Sequence, residues 1–179
     1  MARPEPVFRA VCACGKTQFE ARGAPLMRLL CYCDDCQAAA KQIDALPNGH
    51  SGLRPDGGTF SAIYRKDRVQ CVSGAELLID HKLRPSSPTT RVLASCCNSY
   101  VFSRYENWFP IVTLHTHSPS DGIEPELCMY TKHAPDPRAI RSDLPRHPGL
   151  APRVALKVAG AALLLALQRL PLQSGSRLY

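Results

Sequence analysis

The chain contains 179 residues, with 22 Lys plus Arg, 15 Asp plus Glu and nine Cys. This length predicts one domain with an appendage, and a hydrophobic fraction of 45% excludes a wholly disordered chain. The sequence has no uninterrupted apolar run of 18 residues, and it begins without the apolar core of a signal peptide. We therefore expect a cytoplasmic protein without a transmembrane segment.

The formal net charge of +7 is distributed unevenly. Residues 131–179 carry eight basic and two acidic side chains, whereas residues 1–130 are nearly neutral. We predict a β domain over residues 1–130, followed by a basic, Pro-rich linker and a C-terminal helix over residues 131–179. The basic tail has no dense cationic run with interleaved aromatic residues, so nucleic acid is not a favoured partner.

Short β-forming segments separated by turn residues predict a mainly β fold of short antiparallel strands. Residues 7–11 and 17–21 alternate in polarity, and the Gly-containing segment between them predicts a hairpin. An apolar strand over residues 27–33 leads into a short helix that Asp34 or Asp35 is expected to cap. Further strands are predicted over residues 59–64, 69–72, 76–81, 91–95 and 109–115.

The tail contains one strongly helix-forming segment, residues 154–167, bounded by Pro152 and Pro171. Apolar side chains nearly encircle this helix, and Lys157 interrupts them. We expect the helix to pack on the β domain or on a second subunit, which makes it a candidate contact in a homo-oligomer. A membrane-surface helix is the less favoured alternative, because Lys157 and Arg169 form only a thin polar face.

Seven of the nine cysteines fall into three groups: the amino-terminal pair Cys12-x-Cys14, the middle cluster Cys31-x-Cys33-x-x-Cys36, and the vicinal pair Cys96-Cys97. A reducing compartment keeps cysteines as thiols, so grouped cysteines indicate metal binding. Zinc binds four thiolates tetrahedrally, and its ligands come in close local pairs joined by turns. Cys71 and Cys128 are isolated and are expected to be buried small residues.

Three arrangements of these cysteines remain open. The favoured one has two zinc sites: the amino-terminal and vicinal pairs close a structural zinc, while the middle cluster holds a catalytic zinc with one open position. In the second, the middle cluster and Cys96 close a single structural site. The third is redox chemistry at Cys33 and Cys36, but the βαβ context that it needs is not visible.

The order and spacing of these cysteines resemble the glutathione-dependent formaldehyde-activating enzyme (GFA) family, which also includes centromere protein V. The resemblance covers residues 7 to about 115, with looser matches at residues 56–59, Arg91 and Ser99. It implies a β-tent fold with a structural zinc from the outer two pairs and a catalytic zinc from the middle cluster. Members of this family join formaldehyde to glutathione, giving S-hydroxymethylglutathione, and are classed as carbon–sulfur lyases.

The vicinal pair departs from the family pattern Arg-x-Phe-Cys-x-x-Cys-Gly. Ala94 stands where that pattern has its first Cys, Cys97 matches the second, and Asn98 replaces the Gly. Cys96 can replace the missing ligand if Asn98 adopts the left-handed conformation that asparagine tolerates. The sequence therefore looks like a divergent branch of the family.

The leading hypothesis is a zinc-binding GFA-like protein that acts as a carbon–sulfur lyase on a small thiol/aldehyde adduct. The alternative is a non-catalytic, zinc-stabilised binding module. Asp34 or Asp35 could move a proton, although helix capping explains them equally well. Arg91 could pair with a substrate carboxylate or cap a sheet edge. His115-x-His117 is expected to be a surface pair rather than a metal site.

Overall fold

The computed structural model describes residues 7–105, 109–115 and 124–168. Two α-helices lie within these residues, α1 (Asp34–Asp44) and α2 (Pro152–Leu167). Short 3₁₀ turns lie at Lys66–Arg68, Ala75–Leu77 and Thr131–His133. The strands are β1 (Val7–Val11), β2 (Gln18–Arg22), β3 (Met27–Cys31), β4 (Thr59–Arg65), β5 (Val69–Ser73), β6 (Leu78–His81), β7 (Thr89–Ala94), β8 (Ser99–Tyr105), β9 (Ile111–Leu114), β10 (Leu127–Met129) and β11 (Arg146–His147).

The strands form a three-stranded sheet, in the order β1-β2-β5, and an eight-stranded sheet, in the order β11-β10-β3-β4-β9-β8-β7-β6. Neighbouring strands are antiparallel, except that β10 runs parallel to both β3 and β11. The predicted mainly β fold with a C-terminal helix is confirmed.

The small sheet packs against one face of the large sheet. Along β1 and β2 every second residue is buried, which is the pattern of a sheet with one solvent-facing side. Phe19 meets Phe102 edge-on with ring centroids 5.1 Å apart, and Phe8 stacks on Tyr64 at 6.1 Å. These aromatic contacts join the two sheets into one core.

The two helices cover the opposite face of the large sheet. Ile43 of α1 packs with Leu93 and Tyr100, and Val154 of α2 packs in the cluster that contains Met27 and Ile63. The molecule therefore has three layers, with α1 and α2 on the side of the large sheet that faces away from the small sheet.

The predicted hairpin is present. Strands β1 and β2 pair antiparallel with Val11 opposite Gln18, and the Cys12 amide donates to the Thr17 carbonyl at 3.0 Å. Gly15 adopts φ 81°, a left-handed conformation that favours glycine. The turn thus presents two cysteines at one end of the small sheet.

Three strands were not predicted from the sequence: β8, β10 and β11. Residues 99–103 of β8 are all buried, so this strand lacks the alternation that marks a half-exposed strand. Strands β10 and β11 contain only three and two residues, and their pairing with distant strands is not encoded locally. Of the predicted strands, those over residues 27–33, 76–81 and 109–115 are shorter than expected, and the start of the second of these forms the 3₁₀ turn Ala75–Leu77.

Helix α2 contains the predicted segment 154–167 and begins two residues earlier, at the bounding Pro152; Pro171 and Arg169 lie outside the described residues. The division at residue 130 stays a prediction, although residues on both sides of it share one sheet and one core. Strand β11 extends the large sheet, and Ala151 and Val154 are buried with Met27. None of the helices in the described part of the chain combines the length and apolarity needed to cross a membrane.

Candidate metal centres

The amino-terminal and vicinal pairs come together in what we call the first thiol cluster (Cys12, Cys14, Cys96 and Cys97). The four sulfur atoms all lie within 4.8 Å of one another. Cys12 Sγ lies 3.6 Å from Cys14 Sγ and 3.9 Å from Cys96 Sγ, and the Cys14–Cys96 separation is 3.2 Å. Cys96 therefore joins the amino-terminal pair and not the middle cluster.

This set suits a closed tetrahedral metal site. Sulfur atoms bound to one zinc at about 2.3 Å lie about 3.8 Å apart, and the observed separations surround that value. Four thiolates leave no open coordination position. The cluster lies where the turn of the β1–β2 hairpin meets the turn between β7 and β8. Within it, Cys12 is buried and Cys14 is exposed.

The turn that carries the vicinal pair has the conformation predicted from Asn98. Asn98 adopts φ 47°, and its side-chain amide donates to the Pro47 carbonyl at 2.9 Å. With this turn, Cys96 Sγ and Cys97 Sγ lie 3.9 Å apart and face the same cluster. Both vicinal thiols are therefore available to one metal.

Ser99, the first residue of β8, links the two turns of the first thiol cluster. Its buried hydroxyl accepts a hydrogen bond from the Ala13 amide at 3.0 Å and lies 3.1 Å from Cys97 Sγ. Burial raises the pKa of the Cys97 thiol, but the Ser99 contact and nearby backbone amides outweigh it and lower that pKa to about 6. The cluster thus contains a thiol that ionises readily, as a metal ligand must.

The second thiol cluster is the middle cluster, with Cys31 at the end of β3 and Cys33 and Cys36 at the start of α1. Cys31 Sγ lies 3.4 Å from Cys33 Sγ and 3.7 Å from Cys36 Sγ. Among the described residues, this group offers three ligand atoms within mutual reach. A tetrahedral metal held by these three thiols keeps one open position, as catalytic zinc sites do.

The helix start explains why three thiols fit here. Cys33 is the N-cap of α1, and its carbonyl accepts hydrogen bonds from the amides of Cys36 and Gln37, both at 3.1 Å. Neither Asp34 nor Asp35 caps the helix, so that prediction is wrong: a cysteine occupies the cap position, and helical geometry begins at Asp34. The partial positive charge at a helix N-terminus favours an ionised thiol.

The three thiols of the second cluster differ in how readily they ionise. Hydrogen bonds from Cys31 and Cys36 lower the pKa of Cys33 to about 3. The contact with Cys33 is the main reason that the pKa of Cys31 is raised well above its usual value. Contact with Cys31 lowers the pKa of Cys36, but contact with Cys33 and burial outweigh it and raise that pKa to about 12.

A row of buried polar residues crosses the large sheet on the face covered by α1. Arg91 on β7 lies directly opposite Ser103 on β8, and Ser103 lies opposite Thr113 on β9. All three are buried. Tyr105 packs in the same cluster as the middle cysteines, and its hydroxyl lies 3.0 Å from Thr113 Oγ1. Buried polar residues are uncommon in a β core, so this polar row marks a candidate site.

His115 belongs to this polar region, so the expectation of a surface position is wrong for it; His117 lies outside the described residues. His115 Nδ1 lies 3.0 Å from the Phe60 carbonyl, and Nε2 lies 3.3 Å from Ser103 Oγ. Because a carbonyl only accepts, Nδ1 carries the proton, and Ser103 donates to Nε2 when the ring is neutral. The Tyr100 hydroxyl bonds to Ser103, and its ring stacks on His115 at 3.9 Å.

Arg91 does not cap a sheet edge, because β7 lies between β6 and β8. Its guanidinium is buried, and Nη2 donates to the Asp35 carbonyl in the first turn of α1 at 3.0 Å. Its Nε is buried without a hydrogen-bond partner among the described residues. This leaves a cation with an unused donor beside the second thiol cluster.

The two acidic residues suggested for proton transfer face solvent. The Asp34 carboxylate, 75% exposed, pairs with His133 Nδ1 at 2.7 Å, and the Asp35 carboxylate, 59% exposed, pairs with Arg84 at 3.0 Å. The structure therefore gives both carboxylates a surface role. Thr113 and His115, two polar residues at alternating positions in an apolar segment, were the sequence signal for the polar row.

The two remaining cysteines join neither cluster. Cys128 is buried in the core, as expected, and Cys71 is half-buried with its thiol donating to the Ser73 carbonyl at 3.2 Å. All nine cysteines are free thiols. The fold and the two clusters thus define a mainly β protein with two cysteine groups that could each hold a metal ion.

Comparison with known proteins finds a family model that matches part of the chain. Residues 7–46 match the model of the family described as glutathione-dependent formaldehyde-activating enzyme, GFA. The matched segment contains the amino-terminal pair and the middle cluster, and the match confirms the resemblance to this family seen in the sequence.

Other comparisons add little. A crystal structure of a Rhodobacter sphaeroides protein is similar at 14% sequence identity and a TM-score of 0.45, covering 78% of this chain and 99% of that one. None of the curated proteins matches the chain.

Proposed function

We propose that the chain is a zinc-binding carbon–sulfur lyase of the GFA type, acting on a small thiol/aldehyde adduct such as S-hydroxymethylglutathione. The observation that carries this proposal is the contrast between a four-thiol cluster and a three-thiol cluster backed by buried polar side chains. Structural zinc sites have four protein ligands, whereas catalytic zinc sites have three and leave one coordination position open for substrate or water. The family match supports the same reaction class.

In this proposal the first thiol cluster holds a structural zinc, and Cys31, Cys33 and Cys36 hold the catalytic one. Zinc bound there would supply Lewis acidity and lower the pKa of the group at its open position. The helix N-terminus of α1 favours negative charge on the thiols. The polar row offers hydrogen bonds to a ligand on the sheet side of the cluster.

The reaction itself needs only a thiol and an aldehyde. Addition of a thiol to formaldehyde forms a carbon–sulfur bond and breaks the carbonyl π bond, and the thiol proton ends on the oxygen. The reverse step cleaves the carbon–sulfur bond and returns the proton to sulfur. The Tyr100 and Tyr105 hydroxyls remain donors at neutral pH, because burial raises the pKa of both, that of Tyr105 to about 12.

We also place the protein in the cytoplasm. Nine free cysteines, seven of them needed as thiolates, suit a reducing compartment. A small thiol such as glutathione would be the substrate partner in that compartment.

The second candidate function is a zinc-stabilised binding module that associates through α2. One side of this helix exposes leucines, among them Leu156 at 72%, Leu163 at 61% and Leu167 at 71%. An exposed apolar face favours a protein contact. Self-association through α2 is compatible with either function, so only the metal sites separate the two candidates.

Zinc counting tests the proposal directly. We expect two zinc ions per chain, one of which a chelator removes while circular dichroism shows that the fold survives. The protein with both metals should accelerate exchange between glutathione, formaldehyde and their adduct, measured by NMR. Cys71→Ser, which alters a cysteine outside both clusters, is the matched control. A single tightly held zinc without exchange would favour the binding module.

A further inference from the structure

Arg91 is a buried cation in the middle of the large sheet. The residue is 4% exposed, and no carboxylate among the described residues lies within ion-pair distance of it. A buried charge without a counter-ion is strongly destabilising. Among the described residues, the charge that balances Arg91 must therefore come from a group other than a carboxylate.

The second thiol cluster is the source of that charge. Arg91 Nη2 donates to the carbonyl of Asp35, which lies between Cys33 and Cys36 in the chain. Three thiolates around a divalent zinc carry a net charge of −1, which one guanidinium neutralises.

The other groups that face Arg91 do not replace this counter-ion. His81 lies opposite it on β6, and Ser103 lies opposite it on β8. Burial lowers the pKa of His81, and the nearby Arg91 charge lowers it further, which favours the neutral imidazole. A neutral imidazole does not balance the charge of Arg91. Tyr100 and Tyr105 stay protonated, and the exposed Asp35 carboxylate pairs with Arg84.

The unused donor of Arg91 points to a ligand. Nε is buried and lacks a hydrogen-bond partner among the described residues, and an unsatisfied buried N–H is costly. If Arg91 only stabilised the fold, this N–H would be expected to bond to a neighbouring side chain, as most buried donors do. A ligand oxygen beside the cluster would satisfy it.

We propose that Arg91 is the cationic anchor of the second thiol cluster: it balances the charge of the three thiolates, and its Nε–H binds the hydroxymethyl oxygen of a thiol adduct. The inference rests on the proposed function for the identity of the adduct and not for the charge balance. A charge-assisted hydrogen bond of this kind would favour a ligand that carries the oxygen over one that lacks it.

Zinc affinity of the second site decides the charge role. Arg91→Gln should weaken it about 10- to 100-fold, measured by competition with a chelating dye, because the thiolates lose their counter-ion. Arg84→Gln removes an exposed cation from the same helix start and should leave the affinity within about twofold of wild type. Should Arg91→Gln fail to fold, Arg91→Lys keeps the charge and is expected to lose affinity by less than about tenfold.

Two glutathione derivatives test the anchor. S-hydroxymethylglutathione carries the oxygen, and S-methylglutathione lacks it. Cobalt-substituted wild-type protein, monitored by its visible absorption, should prefer the first by about tenfold or more, and Arg91→Gln should lose that preference. Arg84→Gln should keep it.

Unchanged second-site zinc affinity in Arg91→Gln overturns the proposal, whatever the glutathione derivatives do. If that variant keeps the preference for S-hydroxymethylglutathione, Arg91 Nε–H does not bind the hydroxymethyl oxygen. If the wild type binds neither derivative, the proposed substrate is wrong. The second-site zinc affinity of Arg91→Gln relative to wild type still decides the role of Arg91.

Discussion

The two thiol clusters differ in how the chain builds them. The first joins two turns, with Cys12 and Cys96 separated by 84 residues. The second comes from one six-residue stretch in which a strand ends and a helix begins. The first therefore depends on the folded arrangement of the sheets, whereas the second depends mainly on local geometry and on what lies beneath it.

Because of this difference, a metal in the first cluster should stabilise the fold more than a metal in the second. The first cluster connects the hairpin of the small sheet to the β7–β8 turn of the large sheet, so a metal there cross-links the two sheets. A metal in the second cluster links β3 to the helix that follows it directly, a much shorter connection. Closing a long loop stabilises a fold more than closing a short one.

The largest expected effect is on stability and contrasts one ligand from each cluster. Cys12→Ser should lose more than about 4 kcal/mol of unfolding free energy, because it removes a structural metal ligand. Cys33→Ser should lose less than half of that while abolishing adduct exchange. Urea denaturation of the zinc-loaded proteins measures both values, with Cys71→Ser as the control. Equal losses from the two variants would mean that both clusters are structural.

The next effect concerns Ser103 in the polar row. Ser103→Ala should destabilise the protein by about 1–3 kcal/mol, because it removes a buried hydroxyl that bonds to both the Tyr100 hydroxyl and His115 Nε2. Thermal denaturation of the zinc-loaded protein is the measurement.

Ser95→Ala is the matched control for Ser103, since Ser95 bonds to the Leu77 carbonyl at the exposed surface. That change should cost less than about 0.5 kcal/mol. Equal effects of the two alanine variants would show that the polar row is not a sensitive buried network.

A third prediction uses Ser99, four residues before Ser103 on the same strand. Ser99→Ala removes the acceptor of the Ala13 amide and the partner of Cys97, and should cost about 1 kcal/mol. It should make the first zinc easier to remove and leave the second unaffected. Metal release followed with a colorimetric chelator checks this. Faster loss of the second zinc instead would reverse the assignment of this serine.

The smallest expected effect is the number of protons released when zinc binds to the second cluster. With the pKa of Cys33 at about 3, that thiol is ionised at pH 7, whereas the raised pKa values of Cys31 and Cys36 keep those two protonated. Zinc binding should therefore release two protons at pH 7, and affinity should fall as pH falls because protons compete for the thiolates.

Calorimetry in buffers of different ionisation enthalpy gives this count, once the first site has been filled. Cys71→Ser should release the same number of protons as wild type. Release of three protons would show that no thiol of the cluster is ionised beforehand.

The sequence predicted more of the ligands than of their surroundings. Cysteine spacing indicated both clusters, and Asn98 indicated the left-handed turn, because these features are encoded within a few residues. The polar row escaped prediction, since it arises from the register of β7, β8 and β9, and no local pattern fixes which residues lie opposite one another. His115 was misplaced for the same reason.

The position of Arg91 shows the same limit. The sequence offered a sheet edge or a substrate for this side chain, and only the strand order places β7 inside the sheet. Ala94 and Cys96 show the reverse case. The displaced cysteine was predicted as a replacement ligand from one turn residue, and the structure brings its sulfur to the first cluster.

Strand β8 gives the two clusters a common mechanical support. It begins at Ser99 beside the first cluster and reaches Ser103, opposite Arg91, about 13 Å further along an extended chain. Whatever fixes the start of this strand also fixes the alignment of Ser103 with Arg91 and Thr113. If each cluster holds a metal, filling the first cluster would fix the start of β8 and, through that strand, the alignment of residues at the second site.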